Sequence, residues 1–234
     1  MNQDHARDNG LLVLVDDDPH IRNALSQLLQ SAGYSVKACD SAESASDMLE
    51  RVEPDVHVAA MLLDVSLPGR SGLELLAELA ERTGLTPPVV MISGHSDVPH
   101  VVDALRHGAA DFLLKPLQPG DVIKAIDRAV TEHRRKIEAE RARRSANELV
   151  DRLTPRERQI LNLIVDGRLN KQMAVELDIS QKTVEFHRAR VMRKLEVTCM
   201  AELMRVAFLA DVRSLVETVP TTTSHVSSEQ LATA

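Results

Sequence analysis

A set of polar residues in the first half of the sequence stands where short apolar runs end. These residues are Asp16, with Asp17 and Asp18 directly after it, then Asp64, Ser93 and Lys115. Carboxylates that pack together repel one another, and a hard divalent cation with oxygen ligands, above all Mg²⁺, relieves the repulsion. With an ammonium group and a hydroxyl nearby, these groups suit the transfer of a phosphoryl group to a carboxylate oxygen.

Asp64 is the predicted nucleophile, because it follows a central strand and lies between the acidic cluster and the lysine. Asp16 and Asp17 are predicted to hold the metal, with the backbone carbonyl of Ser66 as a third protein ligand. The residues therefore indicate a metal-dependent phosphoryl acceptor.

Ser93 and Lys115 are predicted to bind the phosphoryl oxygens. Taken singly, each of these residues has a simpler explanation, since a serine or a Lys-Pro pair often marks a loop. Acidic residues before Pro19 often mark the start of a helix, and Asp18 is expected to be that signal. The occurrence of all the groups at successive strand ends favours a common site.

The elements that must position these groups follow from the hydrophobic pattern. Apolar runs alternate with helical patterns five times, which predicts five βα units. The predicted strands are residues 11–15, 35–39, 56–63, 89–92 and 112–114. Continuous apolar strands of this kind form a parallel sheet with helices on both faces. Right-handed crossovers bring the carboxyl ends of the strands to one edge, where ligands bind.

The composition indicates a globular chain with two different halves. It has 234 residues, of which 44% are hydrophobic and 27% charged. No apolar run approaches the roughly 20 residues that span a bilayer, so no membrane segment is expected. Two distant cysteines without a Cys/His cluster favour free thiols in the cytoplasm. The first 130 residues are acidic and residues 151–215 are basic, which suggests two domains with different partners.

A long helical linker is predicted between these halves, over residues 129–150. Residues 122–149 contain no proline or glycine and interleave basic with acidic side chains. The linker either pairs with a second copy of the chain or spaces the two domains as a solvated helix. Residues 1–9 and the Thr/Ser-rich residues 214–234 are predicted to be disordered.

Residues 151–213 have the pattern of an all-α helix-turn-helix domain. A short helix with Asn170 as its predicted cap precedes a turn and a basic helix, Gln181–Lys194. Basic residues on such a helix neutralise phosphates and bind base edges in the major groove, whereas His187 either contacts phosphate or packs inward. The predicted DNA-contacting residues are Lys171, Lys182, Thr183, Glu185, Arg188, Arg190, Arg193 and Lys194.

Residues 10–128 resemble the receiver domain of two-component response regulators. The segments that carry the resemblance are VDDDP at 15–19, LLDVSLP at 62–68 with Gly72, ISGH at 92–95 and DFLLKP at 111–116. The resemblance implies a flavodoxin-like (βα)5 fold, bound Mg²⁺ and phosphorylation of Asp64 by a sensor histidine kinase. It also implies a cis Lys115–Pro116 bond and a switch in which Ser93 moves towards the phosphate while Phe112 turns inward.

Two departures from the usual receiver pattern have structural consequences. The apolar run at residues 56–63 is a residue or more longer than the usual third strand, so a bulge or a register shift is expected there. Phe112 lacks the phenolic hydroxyl that is often found at its position, which excludes a tyrosine hydrogen bond from the switch.

Residues 150–212 resemble the LuxR-type four-helix DNA-binding domain, and the FixJ class in particular. The segments that carry this resemblance are LTPRER at 153–158, NKQ at 170–172 and TVEFHR at 183–188. It implies binding to double-stranded promoter DNA and pairing on DNA through the last helix, Met200–Leu209. The two resemblances together imply a transcription regulator, more often an activator, that acts with RNA polymerase. Phosphorylation is expected to produce a homodimer through helix 4 and strand 5 of the receiver.

Two other functions stay open from the residues alone. A metal-dependent phosphatase of the haloacid dehalogenase kind also uses an aspartate nucleophile, Mg²⁺ and a lysine. It needs a carboxylate two residues after the nucleophile, where this sequence has Ser66. An RNA-binding antiterminator would share the receiver, but the helix-turn-helix pattern argues against it. We therefore expect a regulator rather than an enzyme, with Mg²⁺-dependent phosphoryl acceptance and slow self-dephosphorylation as its chemistry.

Overall fold

The structure is a computed structural model of the chain, and it describes residues 10–52, 56, 58–81, 86–94 and 98–212. The chain folds as two compact units, and the division falls between Ile137 and Glu138. The two tails for which we predict disorder lie outside the described residues. Within the described ranges, no helix is both long and apolar enough to cross a membrane.

The first unit is a five-stranded parallel sheet with a helix after each strand, which confirms the predicted flavodoxin-like α/β fold. Its strands are β1 (Leu11–Val15), β2 (Ser35–Cys39), β3 (Val58–Asp64), β4 (Val89–Ser93) and β5 (Asp111–Leu114). Its helices are α1 (Pro19–Ser31), α2 (Ala42–Glu50), α3 (Gly72–Glu81), α4 (Val98–Arg106) and α5 (Pro119–Asp151), of which α5 continues into the second unit. The strand order β2-β1-β3-β4-β5 places β1, β3 and β4 in the interior of the sheet.

Both faces of the sheet are covered by apolar side chains, because successive residues of a strand point to opposite faces. On one face Leu14 belongs to a buried cluster with Leu29 of α1 and Ile126 of α5. On the other face Leu63 belongs to a cluster with Leu75 of α3. The strand ends are therefore the places where the sheet can present polar groups.

The third strand contains the irregularity that the sequence predicts. Leu11 of β1 is opposite Val58, but Leu12 is opposite Ala60, so Ala59 is an extra residue on β3. The strand begins at Val58, two residues later than predicted. The shift lies at the start of β3, and the pairing with β1 is regular from Ala60 to Leu63.

The predicted helix cap at Asp18 and the implied cis peptide bond before Pro116 are both present in the first unit. Asp18 caps α1, since its Oδ1 accepts a hydrogen bond from the backbone N–H of His20 at 2.8 Å and Pro19 is the first helical residue. The Lys115–Pro116 peptide bond is cis, as the receiver resemblance implies.

The second unit begins at Glu138 and contains the last part of α5, followed within the described residues by four shorter helices. They are α6 (Pro155–Val165), α7 (Asn170–Glu176), α8 (Gln181–Lys194) and α9 (Met200–Leu209). The prediction that Asn170 caps α7 is wrong, because Leu169 holds the capping position and Asn170 is the first helical residue. The side chain of Gln172 accepts the free N–H of Leu169 at 2.8 Å, so α7 starts without an asparagine cap.

Both ends of the predicted linker take part in a core. Ala129 and Val130 are buried in the first unit, beyond the predicted end of the receiver at residue 128. Ala146 and Val150 are buried in the second unit together with Leu153, so the last turns of α5 pack on the helix-turn-helix domain.

Candidate functional site

The carboxyl ends of β1 and β3 bring three carboxylates together. These strands are neighbours, with Val15 opposite Leu63, so Asp16 and Asp64 are adjacent at one edge of the sheet. Carboxylate oxygens of Asp16, Asp17 and Asp64 lie within 4.8 Å of one another. Asp16 and Asp64 are buried, whereas Asp17 is exposed, so solvent reaches the cluster on the Asp17 side.

Lys115, directly after β5, places its ammonium group between the two buried carboxylates. Its Nζ donates to Asp16 Oδ2 at 3.0 Å and also to Asp64 Oδ2. Burial raises the pKa of Asp16, and the hydrogen bond from Lys115 partly offsets that effect. Burial also disfavours the charged lysine, but its bonds with Asp64 and Asp16 outweigh burial and raise the pKa of Lys115. The lysine is therefore held as a cation at the site.

Backbone groups orient both buried carboxylates. Asp16 Oδ1 accepts the N–H of Asp18 at 2.9 Å, and Asp64 Oδ1 accepts the N–H of Ser66 at 2.9 Å. Arg22 of α1 donates to the backbone carbonyl of Asp16 at 2.6 Å. Arg22 could not be predicted from the sequence, where it is only a cation in the first turn of α1. These bonds leave the second oxygen of each carboxylate directed at Lys115.

The donor set suits a hard divalent cation. The three clustered ligand atoms are all carboxylate oxygens. The Ser66 peptide is adjacent to them, because its N–H donates to Asp64 Oδ1. Mg²⁺ prefers oxygen ligands and keeps several of its waters, and the exposed Asp17 gives water access to the cluster. The residues therefore fit the ion that the sequence predicts.

The two residues of the predicted switch lie on adjacent strands. Ser93 ends β4 and is buried, and its carbonyl accepts the N–H of Lys115 at 2.8 Å. Phe112 lies on β5 opposite Met91 of β4 and is half-buried. It packs against the apolar cluster that includes Met91 and Ala104 of α4.

Gly72 lets α3 begin directly against the backbone of Asp64. A Cβ atom on Gly72 would lie 2.0 Å from the carbonyl oxygen of Asp64. The N–H of Gly72 donates to the carbonyl of Val65 at 3.0 Å. The receiver resemblance includes this glycine, and the structure gives the steric reason, because any side chain here would overlap the Asp64 peptide.

In the second unit, α8 has one buried and one exposed side, as predicted. Val184 and Val191 are buried. Of the predicted DNA-contacting residues, the exposed ones are Lys171, Lys182, Glu185, Arg190 and Arg193, and the half-buried ones are Thr183, Arg188 and Lys194. The exposed side of α8 is therefore rich in cationic groups that can meet phosphate.

Glu157 completes the N-terminal cap of α6 and also binds Lys194 of α8. Its carboxylate accepts the N–H of Thr154 at 2.9 Å and Lys194 Nζ at 2.6 Å, and Arg190 Nε lies 3.7 Å away. Burial opposes its charge, but Lys194 and Thr154 outweigh burial and lower the pKa of Glu157 to about 2. Lys194, a predicted DNA contact, thus has a role inside the domain.

The middle of α8 exposes an aromatic ring. Phe186 is 58% exposed, and the guanidinium of Arg190 lies 5.3 Å from its centroid, within cation–π range. The adjacent His187 has a buried Nδ1 that has no hydrogen-bond partner among the described residues. One face of His187 therefore packs inward, which is one of the two arrangements left open by the sequence.

Comparisons with known proteins assign each of the two domains to a family. Residues 12–127 match the response regulator receiver domain, and residues 151–207 match the bacterial regulatory proteins of the luxR family. Nodulation protein W of Bradyrhizobium diazoefficiens is 37% identical over 86% of this chain and 87% of its own. Transcriptional regulatory protein FixJ of Rhizobium meliloti is 39% identical over 83% of this chain and 93% of its own. The structure of response regulator StyR superposes with a TM-score of 0.69 at 36% identity, over 85% of this chain and 98% of that one.

The chain belongs to the response regulators of the FixJ/NarL type. It is a two-component response regulator that acts as a transcription regulator, and its family is one of regulators rather than of catalytic enzymes. The receiver implies a sensor kinase as a partner, and the LuxR-type domain implies DNA as its target. The acidic cluster at the ends of β1 and β3 is the pocket in which receivers generally use Mg²⁺.

Proposed function

We propose that this response regulator accepts a phosphoryl group on Asp64 from a sensor histidine kinase, and that the modification controls promoter binding. One observation carries the proposal: the Asp64 carboxylate is buried beside Asp16, Asp17 and the ammonium group of Lys115. In the transfer, an oxygen of Asp64 bonds to phosphorus while the bond from phosphorus to the kinase histidine breaks. The electron pair of that bond leaves with the histidine nitrogen.

The acidic side chains and the lysine have complementary roles in this transfer. Asp16, Asp17 and Asp64 would hold Mg²⁺ together with the carbonyl of Ser66. When bound, the ion neutralises charge on the phosphoryl group. Lys115 already bridges Asp16 and Asp64, so its ammonium is close enough to pair with a phosphoryl oxygen on Asp64.

The response to phosphorylation is proposed to run through Ser93 and Phe112. The Ser93 hydroxyl, buried at the end of the strand next to β3, would bind a phosphoryl oxygen. Phe112 lies opposite Met91, two residues before Ser93 on the adjacent strand, so a shift of Ser93 is proposed to alter the space around Phe112. Phe112 is half-buried, so it can turn further into the apolar cluster of Met91.

The phosphorylated receiver is proposed to form a homodimer through α4 and β5. Among the described residues of these elements, Val102, Leu105 and Leu114 are apolar and exposed, and Leu105 is 55% exposed. Covering such side chains with a second copy removes apolar surface from water, which favours association.

Dimerisation would present two DNA-binding units to adjacent half-sites of a promoter. Met200, Met204 and Phe208 recur every fourth residue along α9, and all three are exposed, Phe208 at 85%. This stripe supports pairing of two α9 helices on DNA. Dimerisation links the DNA-binding domains of two copies, so that once one is bound the effective concentration of the other at its half-site is high. The affinity of the dimer for DNA therefore increases without new contacts. We propose activation of transcription with RNA polymerase, and action in the cytoplasm, where bacterial promoter DNA lies.

Labelling with a small phosphodonor tests the phosphoryl-acceptor assignment. The wild-type chain is expected to take up phosphate from acetyl phosphate in the presence of Mg²⁺, whereas Asp64→Asn should take up none. Asp47→Asn, an exposed carboxylate on α2, is the matched control and should label like wild type. Retained labelling of Asp64→Asn would refute the assignment, and turnover of small phosphomonoesters would favour a phosphatase instead.

A further inference from the structure

The loop between β3 and α3, residues 65–71, carries the backbone carbonyl proposed to bind Mg²⁺. Ser66, Pro68 and Gly69 of this β3–α3 loop are exposed, and Gly69 has a φ of +79°. The loop is tied at its start by the N–H of Val65, which donates to Ile92 at 2.8 Å. A short exposed loop of this kind needs further contacts if its carbonyl groups are to keep one orientation.

Arg70 supplies those contacts. Its Nη2 donates to the carbonyl of Ala42 at 3.0 Å and to Ser46 Oγ at 2.5 Å, both on α2. Its Nη1 pairs with Glu78 on α3. Its backbone N–H also donates to the carboxylate of Glu43 on α2 at 3.3 Å. One side chain thus joins the β3–α3 loop to two helices.

The chemistry of these contacts is specific to a guanidinium group. The side chain of Arg70 is 29% exposed and that of Glu78 37%, so water only partly screens their pairing. A planar guanidinium can reach a carboxylate, a carbonyl and a hydroxyl at once, whereas the single ammonium of lysine is a point charge on a flexible stem. A methionine at this position would fill similar space but donate no hydrogen bond.

We infer that Arg70 is a positioning residue for the metal ligands of the phosphorylation site. By joining the β3–α3 loop to α2 and α3, it fixes the Ser66 peptide, whose N–H donates to Asp64 Oδ1 at 2.9 Å, before the ion arrives. A site that is ordered in advance loses less conformational entropy on binding, so its affinity is higher. This inference rests on the proposed function, because it requires Mg²⁺ to bind at Asp16, Asp17 and Asp64.

The test is the Mg²⁺ dissociation constant of the full-length chain, measured by isothermal titration calorimetry. Arg70→Met is expected to weaken Mg²⁺ binding by at least about fivefold, less than the roughly 10- to 100-fold cost of losing a direct outer-shell partner. Arg51→Met is the matched control, because Arg51 directly follows α2, the helix that Arg70 contacts, but has a side chain that is 82% exposed. Its affinity for Mg²⁺ should equal that of wild type.

Further measurements separate positioning from a general loss of stability. Hydrogen exchange of the amides in residues 65–71 should become faster in Arg70→Met, while exchange in β1 and β4 stays unchanged. If Arg70→Met does not fold, Glu78→Leu removes the carboxylate that accepts a hydrogen bond from Arg70 Nη1 and should also weaken Mg²⁺ binding. An unchanged Mg²⁺ affinity in the folded variant would overturn the inference even if its melting temperature fell. Failure of the wild-type chain to bind Mg²⁺ would instead overturn the proposed function.

Discussion

Gly72→Ala is expected to damage both the stability of the receiver and the phosphorylation site. The new Cβ would lie 2.0 Å from the carbonyl oxygen of Asp64 and 2.9 Å from its carbonyl carbon. Both atoms belong to the backbone, so no side-chain rotation relieves the overlap, and α3 or the Asp64 peptide must move by about 1 Å. Overpacking of this kind costs about 1–3 kcal/mol of unfolding free energy. A displacement of about 1 Å near reacting groups lowers rates by on the order of 100-fold.

Urea unfolding and the rate of labelling by acetyl phosphate measure the two effects separately. Gly120→Ala is the control, because a Cβ on Gly120, in the first turn of α5, meets no atom within 4 Å. Alanine is a better helix former than glycine by up to about 1 kcal/mol, so the control should be at least as stable as wild type and label normally. Wild-type stability and labelling in Gly72→Ala would refute the close approach of α3 to Asp64.

Three further predictions concern acid stability, DNA contact and the ion. Burial opposes the charge of Glu157, but Lys194 and Thr154 lower its pKa to about 2, below the usual value of about 4.3. Its contribution to the unfolding free energy is therefore complete above about pH 5 and disappears as the pH falls towards 2. In Glu157→Gln, the unfolding free energy should fall less steeply between about pH 5 and pH 2 than in wild type. An equally steep fall would contradict the ion pair of Glu157 with Lys194. Arg188→Ala should weaken promoter binding by about 1–3 kcal/mol in fluorescence anisotropy, with Arg51→Ala as control. A promoter affinity equal to that of wild type would show that Arg188 does not contact the DNA bases. EDTA should abolish phosphate uptake and Mg²⁺ restore it; uptake in EDTA would contradict metal dependence.

The positions of the polar residues at the strand ends could be predicted from the sequence, because they depend on the local hydrophobic pattern and on the sheet topology. Each apolar run ends at its polar residue in the sequence itself, and a parallel sheet brings those ends to one edge. The proximity of Asp16 and Asp64 therefore follows from the neighbouring positions of β1 and β3. Lys115 follows β5, two strands from β3, and contacts both carboxylates through its long side chain. The bounds of α8 and α9 follow in the same way from local hydrophobic spacing and turn residues.

Contacts between distant side chains could not be predicted, because they depend on packing between elements. Lys194 looks like a DNA contact on α8, but the fold places it against Glu157, 37 residues earlier. Arg70 looks like an ordinary loop cation until α2 and α3 surround it. The prediction for Asn170 failed for a local reason, since Gln172 satisfies the start of α7.

The most direct test of the central claim locates the phosphoryl group itself. Borohydride reduction of the chain after incubation with acetyl phosphate and Mg²⁺ converts an aspartyl phosphate to homoserine, which mass spectrometry assigns to a position. We expect homoserine at position 64 alone. A reduced residue at Asp16 or Asp17, with Asp64 unchanged, would contradict it.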